Sequence, residues 1–142
     1  MILASLRVSA LLLVIAALAS TACRDSGKAL RSVEEMQLVP DGTRLVKDRL
    51  VPGGVGSGNA WYSRFYRTEK SEAEVIAFYD EALSNRGWVV VGGPVASEPL
   101  REKVWAKGDL SFQLTLGTAF RDDQPTLGPY PFEIVVSKKK GG

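Results

Sequence analysis

The chain has 142 residues, with 18 basic against 16 acidic side chains, one cysteine and no histidine. Without histidine there is no Ser-His-Asp or Cys-His catalysis, no His-ligated zinc site and no histidine pH switch. One cysteine forbids an internal disulfide, and near-neutrality gives no strong pull toward nucleic acid, so no nucleic-acid partner, metal or cofactor is expected.

Arg7 gives the chain a short positive start, and Val8 to Ala19 is apolar throughout except for Ser9. Ser20, Thr21 and Ala22 are small and lead directly into Cys23. A charged start, an apolar run of about 12 residues and a small-residue cut describe an export signal, since a bilayer span needs roughly 20. Three readings compete: a lipoprotein signal, an ordinary secretory cut after Ala22 that leaves a free thiol, and an uncleaved helix, which the length disfavours.

Ser20-Thr21-Ala22-Cys23 resembles the bacterial lipobox, with Ser20 where that motif usually carries Leu or another aliphatic residue. The resemblance implies a lipoprotein signal peptide over 1–22 and lipidation of Cys23, with palmitate-like chains anchoring the new N-terminus in a membrane. Two or more chains on one terminus hold firmly where a single chain does not. The expected address is the bacterial cell envelope, on the periplasmic side. Arg24 stands where Asp would imply inner-membrane retention, and the choice between inner and outer membrane stays open.

Arg24 to Ser32 is polar and small, so residues 23–32 read as a lipidated N-terminus and tether, and 33–142 as a single globular domain. Val33 to Leu38 fits either a helical turn or a short strand. Pro40-Asp41-Gly42 signals a turn, Thr43 to Val51 a first strand ended by Pro52-Gly53-Gly54, and Trp61 to Thr68 an aromatic-rich second strand. Ser71 and Glu74 have capping-box spacing, and Val75, Tyr79, Ala82 and Leu83 recur at helical intervals. Gly87 suits a left-handed cap, so a helix is expected over 71–86. Trp88 to Val91 reads as a buried strand ended by Gly92-Gly93-Pro94.

Lys103 to Lys107 and Leu110 to Leu116 flank the hairpin signal Gly108-Asp109, and Leu110, Phe112, Leu114 and Leu116 share one side. Arg121 to Pro131 reads as a loop, and Phe132 to Ser137 as the last strand, with Phe132, Ile134 and Val136 inward. The expected fold class is α+β: two layers, with one helix packed on a mainly antiparallel sheet of five to six strands.

One helix covers one sheet face, which directs attention to the other. Tyr62, Arg64 and Tyr66 alternate with Trp61 and Phe65. If Trp61 and Phe65 lie under the helix, the Tyr-Arg-Tyr ladder occupies the open face as a partner-binding surface; ordinary cross-strand packing is the competing reading. Gly53, Gly54, Gly56 and Gly58 form a loop without the Lys-Ser or Lys-Thr pair of a phosphate loop, so they read as a hairpin tip. Asp122-Asp123 and Glu34-Glu35 are adjacent pairs, poorly arranged for carboxylate catalysis. Lys138-Lys139-Lys140 is a basic tail that can approach anionic headgroups or stay solvated.

Ala77-Phe78-Tyr79, Leu83 and Gly87-Trp88 together resemble a pattern of small bacterial lipoproteins, over about residues 39–137. The layout is also similar to the helix-on-sheet domains of lipoproteins that accompany outer-membrane assembly machines. The resulting expectation is a non-catalytic, membrane-anchored lipoprotein that binds a protein or envelope polymer through its open sheet face. The alternatives are a cell-wall glycan enzyme using carboxylates and a small-ligand or lipid carrier. Labelling cells with a fatty-acid analogue should mark the wild type and leave Cys23→Ser unmarked; equal labelling would remove the lipoprotein reading.

Overall fold

The computed structural model describes residues 27–53, 58–97, 100–117 and 130–139. The signal, Cys23 and residues 24–26 lie outside them, as do Gly54, Gly56, Asp122, Asp123 and Lys140. The strands are β1 (Arg44–Val51), β2 (Trp61–Thr68), β3 (Val89–Ser97), β4 (Leu100–Lys107), β5 (Leu110–Leu116) and β6 (Tyr130–Lys138), with helix α1 (Glu72–Ser84) between β2 and β3. They form one sheet in the order β1-β2-β6-β5-β4-β3, and every neighbouring pair is antiparallel. The C-terminal strand β6 thus lies inside the sheet, between β2 and β5.

Local chemistry sets the helix ends. The Ser71 side chain accepts from the Glu74 backbone N–H, and the Glu74 carboxylate accepts from the Ser71 N–H at 2.8 Å, a complete capping box. The same bonds hold the Glu74 carboxyl below its ordinary range. Gly87 takes φ 79°, the left-handed conformation that lets the chain leave the helix and turn Trp88 into the core. Val75, Tyr79 and Leu83 are the buried stripe of α1.

The core is aromatic. Phe112 of β5 meets Tyr79, Trp88 and Trp105 at 5.6, 5.9 and 6.1 Å between ring centroids, while Tyr66 stacks on Phe132 at 5.1 Å. Leu114, Leu116, Ile134 and Val136 complete the inward rows of β5 and β6. The alternation expected for both strands is therefore what packs the covered face.

The expected two-layer α+β class is not what forms. Six strands make a sheet roughly 24 Å wide, and a 13-residue helix is only about 20 Å long and 10 Å across. The fold is mainly β: an antiparallel six-stranded sheet with one small helix. The strand count falls within the expected five to six, but the helix is too small to be a layer.

A second, irregular piece completes the cover. Residues 27–31 are helical and Glu34–Gln37 form a 3-10 turn, which resolves the open choice at Val33 to Leu38. Leu30 and Met36 are 2% and 0% exposed, so residues 27–32, expected in the tether, belong to the packed domain. Arg64 Nη1 donates to the Met36 carbonyl at 2.7 Å and to Gln37 Oε1 at 3.0 Å, and Tyr79 Oη donates to the Leu38 carbonyl at 2.9 Å. The Trp88 indole N–H donates to Glu35 Oε1 at 2.9 Å, and Lys107 Nζ lies 3.6 Å from the same oxygen.

Other differences come from position in the sheet. Val89, Val90 and Val91 were expected in a buried strand, but they are 64%, 45% and 63% exposed. They sit on β3, an edge strand paired only with β4, where a β-branched run does not imply burial on both faces. β3 also continues through Gly92-Gly93-Pro94 by two register shifts, as an edge tolerates. Tyr130 and Pro131, expected in the loop, open β6, with Pro131 opposite Arg67.

Glu35 provides a test. Burial works to raise its carboxyl, but the Trp88 hydrogen bond and the Lys107 charge outweigh it and hold the group below its ordinary range. A depressed folded pKa contributes stability at neutral pH that is lost as pH falls through that folded value. Glu35→Ala, which leaves a buried indole N–H without its acceptor, should cost about 1–3 kcal/mol in urea unfolding at pH 7. The Glu35 contribution should shrink toward pH 3; a variant as stable as wild type at pH 7 would contradict this role.

Candidate functional site

Strand pairing places every predicted site residue on a definite side. Tyr62, Arg64 and Tyr66 pair with Val136, Ile134 and Phe132, so they lie on the face covered by α1 and residues 27–40. Tyr62 is 5% and Tyr66 1% exposed. The ladder is not an open partner-binding surface. Its partner is the chain's own N-terminal segment: Arg64 grips Met36 and Gln37, Tyr66 Oη reaches the Met36 carbonyl at 3.5 Å, and the Arg31 guanidinium lies 5.6 Å from the Tyr62 ring centre. Tyr62 Oη also donates to Asp48 Oδ2 at 2.8 Å. Burial first, then Asp48, raises the Tyr62 hydroxyl above its ordinary range, and burial likewise raises those of Tyr66 and Tyr79.

Trp61 and Phe65, expected beneath the helix, instead belong to the opposite face. No described helix or strand lies over that face. One row runs Glu102, Thr115, Glu133, Phe65 and Lys47 across β4, β5, β6, β2 and β1. The next runs Val104, Gln113, Val135, Ser63 and Arg49, and the third ends in Ser137, Trp61 and Val51. Lys47 Nζ lies 5.2 Å from the Phe65 ring centre, and the Arg49 guanidinium 5.3 Å from that of Trp61. The two cations of the edge strand thus roof the two aromatic rings, their alkyl stems covering apolar surface and their charges over π faces.

Glu133 is the unexpected member. It is half-buried in the middle of the sheet, and burial pushes its carboxyl above the ordinary range. The nearby Ser63 hydroxyl, Arg49 and Lys47 pull it partly back, and the Glu102 carboxylate adds to the rise. Ser63 itself is wholly buried. A central carboxyl whose pKa burial raises, with the Glu102 carboxylate two strands away on the same face, is the kind of group found at functional sites. Nothing in the sequence singled it out, because Glu133 alternates with Phe132 and Ile134 as any solvent-side residue does.

The remaining expectations fall as follows. Glu34 is exposed, whereas Glu35 is structural. Gly53 lies so close to the Ala60 backbone that a Cβ would sit 2.7 Å from its nitrogen, a structural reason for glycine at the hairpin. A depression of about 350 Å³ opens beside the start of α1, lined by Pro40, Asp41, Lys70, Glu74 and Phe78 among others, on the opposite side from Glu133. Among the described residues no acidic or cysteine cluster could hold a metal ion, and no helix is long and apolar enough to cross a membrane.

No protein-family model matches the chain, and no curated protein or solved structure shows significant similarity to it.

A carboxyl whose folded pKa is raised retains its proton in the native state after the unfolded chain has lost it. Stability therefore falls as pH rises from the unfolded to the folded value, and the cost is complete above the latter. Glu133→Gln should melt at or above the wild-type temperature at pH 7, with the difference gone at pH 3, where both side chains are neutral. A Glu133→Gln chain clearly less stable than wild type at pH 7 would show that the carboxylate is a structural partner.

Proposed function

We propose that this is an exported, lipid-anchored protein of the bacterial envelope that binds a protein or envelope polymer, without catalysis, through the sheet face of Trp61, Phe65, Glu133 and Arg49. The observation that carries the reading is Glu133 itself, a half-buried carboxyl whose pKa burial raises, at the centre of the helix-free face and in one row with Phe65 and Lys47. Titratable groups with shifted pKa values in partly buried positions are concentrated at functional sites. Aromatic rings and arginine beside a polar strip also match the composition of binding surfaces. The anchor part rests on Cys23 behind its small residues.

The test uses a photoreactive residue at Gln113, in the centre of the face, introduced into the full chain in cells. The reading expects adducts from Gln113 that disappear in Trp61→Ala/Glu133→Gln with an unchanged circular dichroism spectrum. An anchor residue of this kind is worth about 2 kcal/mol, or roughly thirtyfold in affinity. Adducts that persist in the folded double variant would move the binding surface elsewhere.

The glycan-enzyme reading keeps one specific support. Glu102 and Glu133 lie on the same face with Thr115 between them, a carboxylate pair in which the charge of one raises the pKa of the other. Release of soluble fragments from purified cell wall by wild type but not by Glu133→Gln would favour that reading over binding.

A further inference from the structure

The two ends of the sheet differ in charge, and the chain toward Cys23 leaves from one of them. Gly27 lies against Leu50: a Cβ there would sit 3.1 Å from the Leu50 side chain. Leu50 and Val51 end β1 beside Tyr62 and Trp61, and the same end carries Ser137, Ser111, Ala106 and Val89 of the other strands. The Lys139 N–H donates to the Asp109 carbonyl at 2.8 Å, which ties the C-terminal lysines to the β4–β5 turn at this end.

Lys28, Arg31, Arg86, Lys107, Lys138 and Lys139 gather there, against Glu34, Glu35 and Asp109. Some of that charge is engaged locally, as Lys107 faces Glu35 and Lys138 lies 3.1 Å from Asp109. The latter pair is exposed, so it holds Lys138 only weakly. The opposite end carries Asp41, Glu69, Glu72 and Glu74 against Arg44, Arg67 and Lys70. Among the described residues the charge is therefore uneven along the strands, with a positive excess at the end where the N-terminal segment lies.

Distance then limits orientation. From Cys23 to Gly27 even a fully extended chain spans at most about 14 Å. The strands between the two ends are roughly 25 Å long, so only the basic end can reach a surface in which Cys23 is embedded. We propose that this end, with Lys28, Arg31, Arg86, Lys138 and Lys139, rests on anionic phospholipid headgroups, so that the sheet stands upright on the membrane. The orientation relies on the lipid-anchor reading of Cys23. Each basic residue near such a surface is worth about fivefold in affinity. In this pose the Glu133 face looks sideways along the membrane, and the Asp41 turn points away from it.

The experiment uses the full chain purified from membranes, with the mass of its N-terminal peptide read first. Because Cys23 is the sole natural cysteine, Asn85→Cys at the basic end or Asp41→Cys at the far end can carry a unique fluorophore. Each labelled protein is placed in phosphatidylglycerol or in phosphatidylcholine vesicles containing a headgroup-attached quencher. The expected result is acylated Cys23 with quenching at least severalfold stronger at Asn85 than at Asp41, and stronger on phosphatidylglycerol. Lys138→Glu/Lys139→Glu should lose most of that preference without a change in circular dichroism. Acylated protein quenched equally at the two ends, or equally on the two lipids, overturns the orientation alone. An unmodified Cys23 overturns the anchor and the orientation with it.

Discussion

The covered face of the sheet needs more cover than one short helix provides, and the irregular segment 27–40 supplies it. Irregular backbone placed against a core brings carbonyls with no ladder to join, each a cost if left unpaired. Arg64, Tyr66 and Tyr79 meet that need with side-chain donors aimed at the Met36 and Leu38 carbonyls. Trp88 and Lys107 do the same for the Glu35 carboxylate. The aromatic and basic residues of the core are thus as much hydrogen-bond donors as packing volume. Without these bonds the segment would have no defined seat, and the sheet would expose an apolar face.

That arrangement assigns different work to the two faces. The covered face is closed by contacts within the chain and has no side left for a partner. The other face is not apolar enough to be a core and not charged enough to be plain surface. Its rings are roofed by Lys47 and Arg49, and its centre is a carboxyl held partly out of water. The cationic side chains keep the aromatic rings of this face from lying bare to water.

Elements set by local rules were legible in the sequence. The Ser71–Glu74 capping box, the Gly87 cap, the Gly108-Asp109 turn and the limits of β2 each depend on a few neighbouring residues, and each forms as expected. What depends on distant partners was not legible. Alternation in β2 separates Tyr62, Arg64 and Tyr66 from Trp61 and Phe65, but it does not say which set faces inward. That follows from the β2–β6 register, which sets Tyr66 against Phe132, and from segment 27–40, whose first residues, 27–32, read as tether. The same blindness hid Glu133, whose burial depends on neighbours from β1, β2 and β4, and it made Val89 to Val91 look central when they lie on an edge.

The position of β6 also governs when the molecule can fold. Among the described strands, the two halves β1–β2 and β3–β4–β5 are joined in the sheet only through β6, the last of them in chain order. Segment 27–40 precedes every described strand, yet the donors that seat it lie at positions 64, 66, 79, 88 and 107. The β2–β6 pairing and the contacts that seat segment 27–40 are therefore long-range, and the covered face cannot close before β6 is in place. The β1–β2 hairpin and the β3–β4–β5 meander can each form from neighbouring residues, but the sheet that joins them waits for β6.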